Sequence, residues 1–311
     1  MLFHLFLLIL GLPLLYYGGD LLITGSIRIS RNLKISPFII GATVVGFGTS
    51  APELAVSILA AIQGSPELAL GNVIGSNIAN VGLVLGLTAL IIPLTIGKQR
   101  LKEESPPFIF TTGLVMVLVW DSHLNRLEGG IMVVLMMAYL WNSFRKKEES
   151  EFLVEEETFL AEKGMGIQAA LILAGLGLLI FGAKCLVDGA VGIATQLGIS
   201  EWFIGITIVA LGTSLPEIVS SLMAAKRGHG EMAIGNVVGS NIFNSLLVLG
   251  VTASIQPLDI LEPIHTDLMI TTALSCLLLI LIRIEHELSQ RDGFILLALY
   301  IGYLGMKGMG L

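Results

Sequence analysis

Two glutamates stand out because each lies inside an apolar stretch and ends the same polar motif. The sequence GTSAPE at 48–53 recurs as GTSLPE at 212–217. A proline inside a helix removes a backbone hydrogen bond, so carbonyls at or near Thr49 and Thr213 should lose their helical partners. Free carbonyls and buried carboxylates are costly away from water. We therefore expect Glu53 and Glu217 to face a polar cavity or a ligand.

A second polar motif is also present twice. The sequence GNVIGSNIAN at 71–80 recurs as GNVVGSNIFN at 235–244. Residues four apart share a helix face, and this spacing joins a serine to an asparagine in each motif: Ser76 to Asn80, and Ser240 to Asn244. Each helix therefore offers hydroxyl and amide oxygens on one face.

Asn77 and Asn241 of this motif point away from that face. We predict that Asn77 and Asn241 form hydrogen bonds between helices. For Asn72 and Asn236 two roles stay open, because each could extend the polar face or cap a bend.

Together the two motifs supply only oxygen ligands, without a thiolate or an imidazole. Their side chains are Glu53, Glu217, Thr49, Ser50, Thr213, Ser214, Ser76, Ser240, Asn80 and Asn244. All-oxygen sites suit hard cations, and Ca²⁺ accepts six to eight oxygens in a flexible geometry. The formal charge of −2 from two carboxylates would be neutralised by one Ca²⁺ or by two Na⁺. Such a pocket could hold two kinds of cation in competition.

The repetition of both motifs reflects a duplication of the whole chain. When the sequence is offset by 164 positions, 29 of 51 residues are identical between 41–91 and 205–255. The chain therefore divides into a first unit at 1–147, a polar linker at 148–164 and a second unit at 165–311. The linker region is rich in glutamate, which is typical of a solvated connection.

Each unit contains five apolar stretches long enough to be candidates for spanning a bilayer. They lie at 2–26, 37–62, 67–93, 107–122, 127–144, 166–190, 201–225, 231–256, 266–282 and 292–309. Because each unit has an odd number of spans, the first unit ends on the opposite side of the membrane from where it began. The second unit therefore has the inverted orientation. The fold class that we predict is an all-α polytopic membrane protein with ten transmembrane helices in two inverted five-helix repeats, an arrangement typical of secondary transporters.

The composition agrees with a membrane protein. Hydrophobic residues make up 54 % of the 311 residues, charged residues only 13 %, and the mean hydropathy is +0.88. Soluble domains are about 25 % charged. This composition excludes a disordered chain, a nucleic-acid-binding protein and a secreted disulfide-stapled domain.

The distribution of basic residues predicts the orientation. With ten spans, fourteen of the 17 lysines and arginines fall at one side of the bilayer. Basic residues are concentrated in cytoplasmic loops. We therefore expect a multi-pass protein of the cell membrane with both termini outside and the linker at 148–164 in the cytoplasm.

The paired motifs resemble the α-repeats of the calcium/cation antiporter superfamily, and most of all its prokaryotic sodium/calcium exchanger branch. The resemblance covers the whole chain. It implies secondary antiport of Ca²⁺ and Na⁺ by alternating access, with both ions as transported substrates and no cofactor.

The resemblance also implies roles for individual residues. Glu53 and Glu217 would bind Ca²⁺ with the carbonyls of Thr49 and Thr213. Asn80 and Asn244 would complete the central site with the two glutamates. Sodium sites would be built from Glu53, Glu217, Ser50, Ser214, Ser76, Ser240 and the carbonyls of Gly46 and Ala210. Some members of the family carry an aspartate at one of the two asparagine positions.

Several alternatives stay open. With only two carboxylates, three bound Na⁺ would leave a net positive charge, so a Ca²⁺/H⁺ antiporter that uses the same glutamates is the second reading. A passive cation channel is a third, which the inverted halves disfavour. An intramembrane enzyme lacks a supporting motif, because neither HExxH nor GxSxG occurs. Lipid and the two cations are the expected partners, nucleic acid is not expected, and the oligomeric state is open.

Overall fold

The computed structural model describes residues 1–145, 164–198, 210–261 and 264–309. The side chains of residues 210, 211 and 285 are not described. Most of the predicted linker at 148–164 and the first part of the predicted span at 201–225 lie outside the described residues. Within them the chain is mostly helical.

The first unit contains six helical segments. They are α1 (Leu2–Leu33), α2 (Pro37–Thr49), α3 (Ala51–Ile62), α4 (Pro66–Ile91), α5 (Lys98–Leu118) and α6 (Arg126–Arg145). Two of them contain a π-helical stretch, Gly41–Val45 in α2 and Asn80–Leu85 in α4. The Ser36 hydroxyl caps α2 by accepting a hydrogen bond from the backbone N–H of Ile39 at 3.2 Å.

The described part of the second unit has the same order of helices. It contains α7 (Met165–Gln196), α8 (Ala210–Thr213), α9 (Leu215–Lys226), α10 (Gly230–Ile255), α11 (His265–Glu285) and α12 (Gln290–Gly308). A π-helical stretch again interrupts one of them, at Asn244–Val248 in α10. Ser289 and Asp292 form a reciprocal capping box at the start of α12.

Many of these helices have the length and apolarity of membrane spans. Among the described residues, α1, α4, α6, α7, α10 and α11 qualify, and the bent pair α2–α3 makes a seventh if it is one span. The protein is therefore a multi-pass membrane protein. In their most apolar windows α4 and α10 are 78 % and 89 % buried, whereas the other four are 28–33 % buried. The helices that carry the second polar motif thus form the centre of the molecule.

Two details of the predicted elements need correction. The predicted span at 107–122 belongs to a helix that begins nine residues earlier, at Lys98. Its first turns are charged but paired, because Arg100 Nη1 lies 3.7 Å from carboxylate oxygens of both Glu103 and Glu104. The fold is also not purely helical in its described part, since four two-residue strands join the loops.

The strands connect the first unit to the second. β1 (Leu94–Thr95) pairs with β4 (Glu287–Leu288), and β2 (His123–Leu124) pairs with β3 (Leu258–Asp259), both antiparallel. Two acidic residues form further links beside these ribbons. The backbone N–H of Gly97 donates to Glu231 at 2.7 Å, and that of Leu261 donates to Glu67 at 3.4 Å.

Glycines allow close approach where helices of the two units cross. A Cβ atom built at Gly18 of α1 would lie 2.7 Å from the backbone nitrogen of Leu179 in α7, and one at Gly175 would lie 2.5 Å from that of Leu22. Contacts of the same kind join α4 to α12 through Gly86 and α6 to α10 through Gly129. Small residues at such crossings are the usual way for membrane helices to pack.

Candidate functional site

The two glutamates lie at breaks between helices. Ser50, with φ −84° and ψ 0°, separates α2 from α3, and the two helices meet at 43°. Ser214, with φ −87° and ψ −1°, separates α8 from α9 in the same way. The following prolines stand in the first turns of α3 and α9, where a missing N–H is tolerated. Glu53 and Glu217 also lie in those first turns, at the positive ends of the helix dipoles.

Both carboxylates are buried and incompletely bonded. Glu53 is 2 % exposed and Glu217 is 1 % exposed. Within the described residues, Oε2 of Glu53 accepts no hydrogen bond, and the Glu217 carboxylate lies near the Thr49 hydroxyl without a well-aligned hydrogen bond. The two glutamates are close enough for their charges to interact. Two buried carboxylates whose charges interact, with no basic partner among the described residues, favour the binding of a cation.

Other predicted ligands gather beside Thr49. Its Oγ1 lies 3.4 Å from the carbonyl oxygen of Gly46, from Oδ1 of Asn236 and from Oγ of Ser240. The Ser240 hydroxyl is also 3.4 Å from the Gly46 carbonyl. These distances are long for O–H···O hydrogen bonds. The result is a loose cluster of oxygens from both units of the chain.

The equivalent residues of the other unit lie at an open cavity. Ser76, Thr213 and Ser214 line a space of about 580 Å³ between α4 and the C-terminal turns of α12. Ser50 is buried, and its hydroxyl has no hydrogen-bond partner among the described residues. Ala210 is the first residue of α8. The structure therefore places most of the predicted ligands around the breaks, but with unequal access.

Hydrogen bonds between asparagines link α4 to α10. Asn80 Nδ2 donates to Asn241 Oδ1 at 3.0 Å, and Asn244 Nδ2 donates to Asn77 Oδ1 at 3.1 Å. Asn241 Nδ2 also donates to the carbonyl of Asn77 at 3.2 Å. The prediction that Asn77 and Asn241 form interhelical hydrogen bonds is confirmed.

The same network orients the amide oxygens. Asn80 and Asn244 each start a π-helical stretch, a local geometry often found at functional sites. Because their amide nitrogens donate to the neighbouring helix, their oxygens are left for other partners. Oδ1 of Asn244 is buried and accepts no hydrogen bond within the described residues. An amide oxygen in this state is a suitable cation ligand.

Asn72 and Asn236 have a supporting role that the sequence left open. Asn72 Nδ2 donates to the Glu53 carbonyl at 3.2 Å and to Ser57 Oγ at 2.9 Å. Asn236 Nδ2 donates to Ser220 Oγ at 3.0 Å and to Ser221 Oγ at 2.9 Å.

Both asparagines thus tie their helix to the one that carries a glutamate. The serines were missed as partners. The signal that could have found them is the identity of Ser57 and Ser221 at corresponding repeat positions.

The two sides of the centre differ in packing. A Cβ atom at Gly235 or Gly239 of α10 would lie 2.3 Å from the carbonyl oxygen of Phe38 or 2.1 Å from that of Ala42, both in α2. At Gly71 and Gly75, the corresponding glycines of α4, no described atom comes within 4 Å. One face of the site is therefore sealed by α2, and the other lines the cavity; residues 201–209, which correspond to the start of α2, lie outside the described residues.

The oxygen atoms at this site are ligands that suit a hard cation. In the described ranges no group of three or more histidine, cysteine, aspartate or glutamate residues could hold a metal ion. The available ligands are two carboxylates together with hydroxyl, amide and carbonyl oxygens. Such a set resembles a transient site for Ca²⁺ or Na⁺ more than a tight structural metal centre.

Comparisons with known proteins give matches over nearly the whole chain. The family described as sodium/calcium exchanger protein matches residues 3–145 and again residues 167–309. The sodium/calcium exchanger MaX1 of Methanosarcina acetivorans is 34 % identical and covers 96 % of both chains. The inner membrane protein YrbG of Escherichia coli is 35 % identical over 82 % of this chain and 80 % of its own.

A solved structure shows the same fold. The sodium-calcium exchanger NCX_Mj, soaked with zero Na⁺ and Ca²⁺, superposes with a TM-score of 0.87 at 35 % sequence identity. The similarity covers 98 % of this chain and 99 % of that one.

Proposed function

The chain belongs to the sodium/calcium exchanger protein family, and on that premise we propose that it exchanges Ca²⁺ for Na⁺ across the membrane by alternating access around one central site. The observation that carries this proposal is the pair of carboxylates, Glu53 and Glu217, which are buried at two helix breaks and close enough for their charges to interact. Their charge of −2 is balanced equally by one Ca²⁺ or by two Na⁺. Because either load neutralises the same site, binding of one favours release of the other.

We propose that Ca²⁺ and Na⁺ share the two glutamates of the site and differ in their other ligands. Glu53 and Glu217 hold Ca²⁺ with the carbonyls of Thr49 and Thr213, and Asn80 and Asn244 complete the centre through their amide oxygens. Sodium ions use the same glutamates with Ser50, Ser214, Ser76, Ser240 and the carbonyls of Gly46 and Ala210. Support comes from the burial of the glutamates, the unpartnered oxygens and the cluster around Thr49.

We further propose ten membrane spans in two inverted repeats, 1–147 and 165–311, joined by the linker at 148–164. The contacts between the units support this arrangement. Leu94 pairs with Leu288, and the positions offset by 164 from these two, Leu258 and Leu124, pair with each other. The family also matches two segments that are separated by the same offset. Contacts that exchange places in this way are those expected from a two-fold axis relating the repeats.

For the orientation we propose that both termini lie outside the cell and the linker lies in the cytoplasm. The excess of basic residues on the linker side supports this. The cavity beside Ser76 lies among the C-terminal turns of α12, so it opens toward the outer face in this orientation. The structure then corresponds to an outward-facing state, with α2 sealing the cytoplasmic path.

The relatives do not favour the second reading, Ca²⁺/H⁺ exchange with the same glutamates. MaX1 and NCX_Mj are both named as sodium/calcium exchangers. The two counter-ions predict different behaviour of purified protein in vesicles.

Flux in proteoliposomes tests the exchange. We expect vesicles loaded with Na⁺ to accumulate ⁴⁵Ca²⁺ when diluted into Na⁺-free buffer, because outward movement of Na⁺ drives Ca²⁺ inward. Vesicles with equal Na⁺ on both sides serve as the control. Accumulation driven by a proton gradient alone would instead favour H⁺ as the counter-ion, and uptake without any counter-ion would indicate a channel.

The asparagine at position 244 permits a test of the central ligands. We expect Asn244→Asp to make Ca²⁺ uptake more sensitive to acid and to shift the ion preference, because a third carboxylate raises the formal charge of the site to −3. The measurement is ⁴⁵Ca²⁺ uptake over a range of pH and of external Na⁺. Asn142→Asp, which adds the same charge at an exposed position of α6 away from the cavity, is the comparison. Unchanged pH dependence and ion preference in Asn244→Asp would remove this residue from the ligand set.

A further inference from the structure

The cavity that leads to the predicted ligands carries one positive charge in its wall. Lys307, in the last turn of α12, lines this space together with Ser76, Thr213 and Ser214. It is the only charged side chain among the described residues that line the cavity. A fixed positive charge here opposes the entry of cations, so its presence beside a cation site calls for a compensating partner.

That partner is Asp267, in the first turn of α11. Lys307 Nζ lies 2.9 Å from Asp267 Oδ2. The aspartate side chain is 18 % exposed and that of the lysine is 37 % exposed, so the pair is only partly open to water. The other carboxylate oxygen of Asp267, Oδ1, is buried without a hydrogen-bond partner in the described ranges. Tyr303, which also lines the cavity, forms a side-chain hydrogen bond with Asp267, so the contact between the two charges and this tyrosine together hold the pair.

This pair is not part of the duplicated machinery. The position equivalent to Lys307 in the first unit is Ser143, which is buried and uncharged. The position equivalent to Asp267 is Glu103, which pairs with Arg100 on its own helix. The cavity wall therefore has a lysine and a paired acid, and the corresponding described positions, Ser143 and Glu103, do not repeat this pair.

We propose that Lys307 and Asp267 form an electrostatic gate that sets the affinity for cations entering from this cavity. Asp267 cancels the charge of Lys307 and holds its ammonium group against the wall. This proposal rests on the proposed function, because it concerns the path by which exchanged cations reach Glu53 and Glu217. Ion affinity then depends on the net charge of the pair, which is zero in the native chain.

The charge balance gives a sharp test with three variants. Lys307→Gln leaves a net charge of −1, and we expect tighter apparent cation binding. Asp267→Asn leaves +1, and we expect weaker binding. The double variant restores zero, and we expect it to return to the affinity of the native chain.

The size of the shift should depend on the charge of the ion. For a shift of about threefold for Na⁺, the shift for Ca²⁺ is about tenfold, because doubling the ion charge doubles the Coulomb energy and squares the ratio. Added inert salt reduces both shifts by screening. A purely structural role of the lysine would show neither the squared ratio nor the opposite directions of the single variants.

The matched control is another ion-paired lysine. Lys184 Nζ lies 3.4 Å from Asp188 on α7, and neither residue lines the cavity. We expect Lys184→Gln and Asp188→Asn to leave the apparent affinities unchanged. Equal shifts in Lys307→Gln and Lys184→Gln, or single variants that move in the same direction, would overturn the proposal.

Two measurements separate this proposal from the function on which it rests. Na⁺-driven ⁴⁵Ca²⁺ uptake by the native chain tests exchange, whereas equilibrium ⁴⁵Ca²⁺ binding to the purified full-length protein tests the gate directly. If the native chain binds Ca²⁺ but does not exchange it, the proposed function fails and the binding series still decides the gate. Binding that is the same in all three variants and the native chain rejects the gate.

Discussion

Replacing Glu217 by glutamine should reduce Na⁺-driven Ca²⁺ uptake at least a hundredfold. The change halves the charge of the site, so bound Ca²⁺ would be left with a net charge of +1 in a buried setting. It also replaces a carboxylate oxygen by an amide nitrogen, which cannot bind a cation. We expect the same loss for Glu53→Gln, because both units contribute one acid to the site. The readout is ⁴⁵Ca²⁺ uptake into proteoliposomes.

The loss of transport should not reflect unfolding. Glutamine has the shape of glutamate, and removal of an uncompensated buried charge relieves a cost of folding. We therefore expect a thermal midpoint in detergent equal to or above that of the native chain. Glu231→Gln is the control, because Glu231 also lies in the first turn of a helix but, among the described residues, accepts its hydrogen bond from a loop N–H. Near-normal uptake by either central variant would show that these acids are not the ion ligands.

The second large effect concerns Gly239, and Gly75 is its repeat counterpart. Alanine at Gly239 would bring a methyl group within 2.1 Å of the Ala42 carbonyl, so α2 would have to move away from α10. Forced overpacking of this kind costs about 1–3 kcal/mol. We expect Gly239→Ala to lower the thermal midpoint by several degrees and to impair exchange at least tenfold.

Alanine at Gly75 should behave differently. Among the described residues, which leave out 199–209, no atom lies within 4 Å of its added Cβ, so the thermal midpoint should fall less than in Gly239→Ala. In an inverted repeat, however, Gly75 takes the place of Gly239 when the cavity closes and the opposite path opens. We therefore expect Gly75→Ala to slow exchange with a smaller loss of stability than Gly239→Ala. A fall in midpoint of the same size for both variants would argue against this asymmetry between the two paths.

Much of the candidate site could be predicted from the sequence because both polar motifs occur twice in the chain. A single proline-glutamate pair in an apolar segment would be weak evidence, but the same pair beside the same Gly-Thr-Ser at an offset of 164 is not accidental. Polarity at mid-membrane is costly, so the few polar residues there are strongly informative. The same reasoning identified the cross-helix role of Asn77 and Asn241.

Other features could not be predicted because they depend on packing between distant segments. The four strands are two residues long and carry no periodicity of their own. The early start of α5 depends on pairing among Arg100, Glu103 and Glu104. The π-helical stretches change the hydrogen-bond register without any proline to mark them.

The difference between the two sides of the site could not be predicted from the sequence either. The motifs at 71–80 and 235–244 are nearly identical, so their sequence makes no distinction between Gly75 and Gly239. The difference arises from where α2 packs, which is a property of one conformation of the whole molecule. Sequence patterns describe the residues that two conformations share, and they do not select between them.

The paired ribbons have a consequence for how the protein is made. β1 at Leu94 cannot pair until Leu288 has been synthesised, and β2 at Leu124 cannot pair until Leu258 has been synthesised. The ribosome therefore releases the six helical segments of the first unit, α1–α6, while β1 and β2 still lack their partner strands. Closure becomes a late event of translation, completed when little more than the last helix is left to synthesise. A stop codon in the second half should accordingly leave a membrane-inserted but unfinished bundle, exposed to the quality-control proteases of the cell.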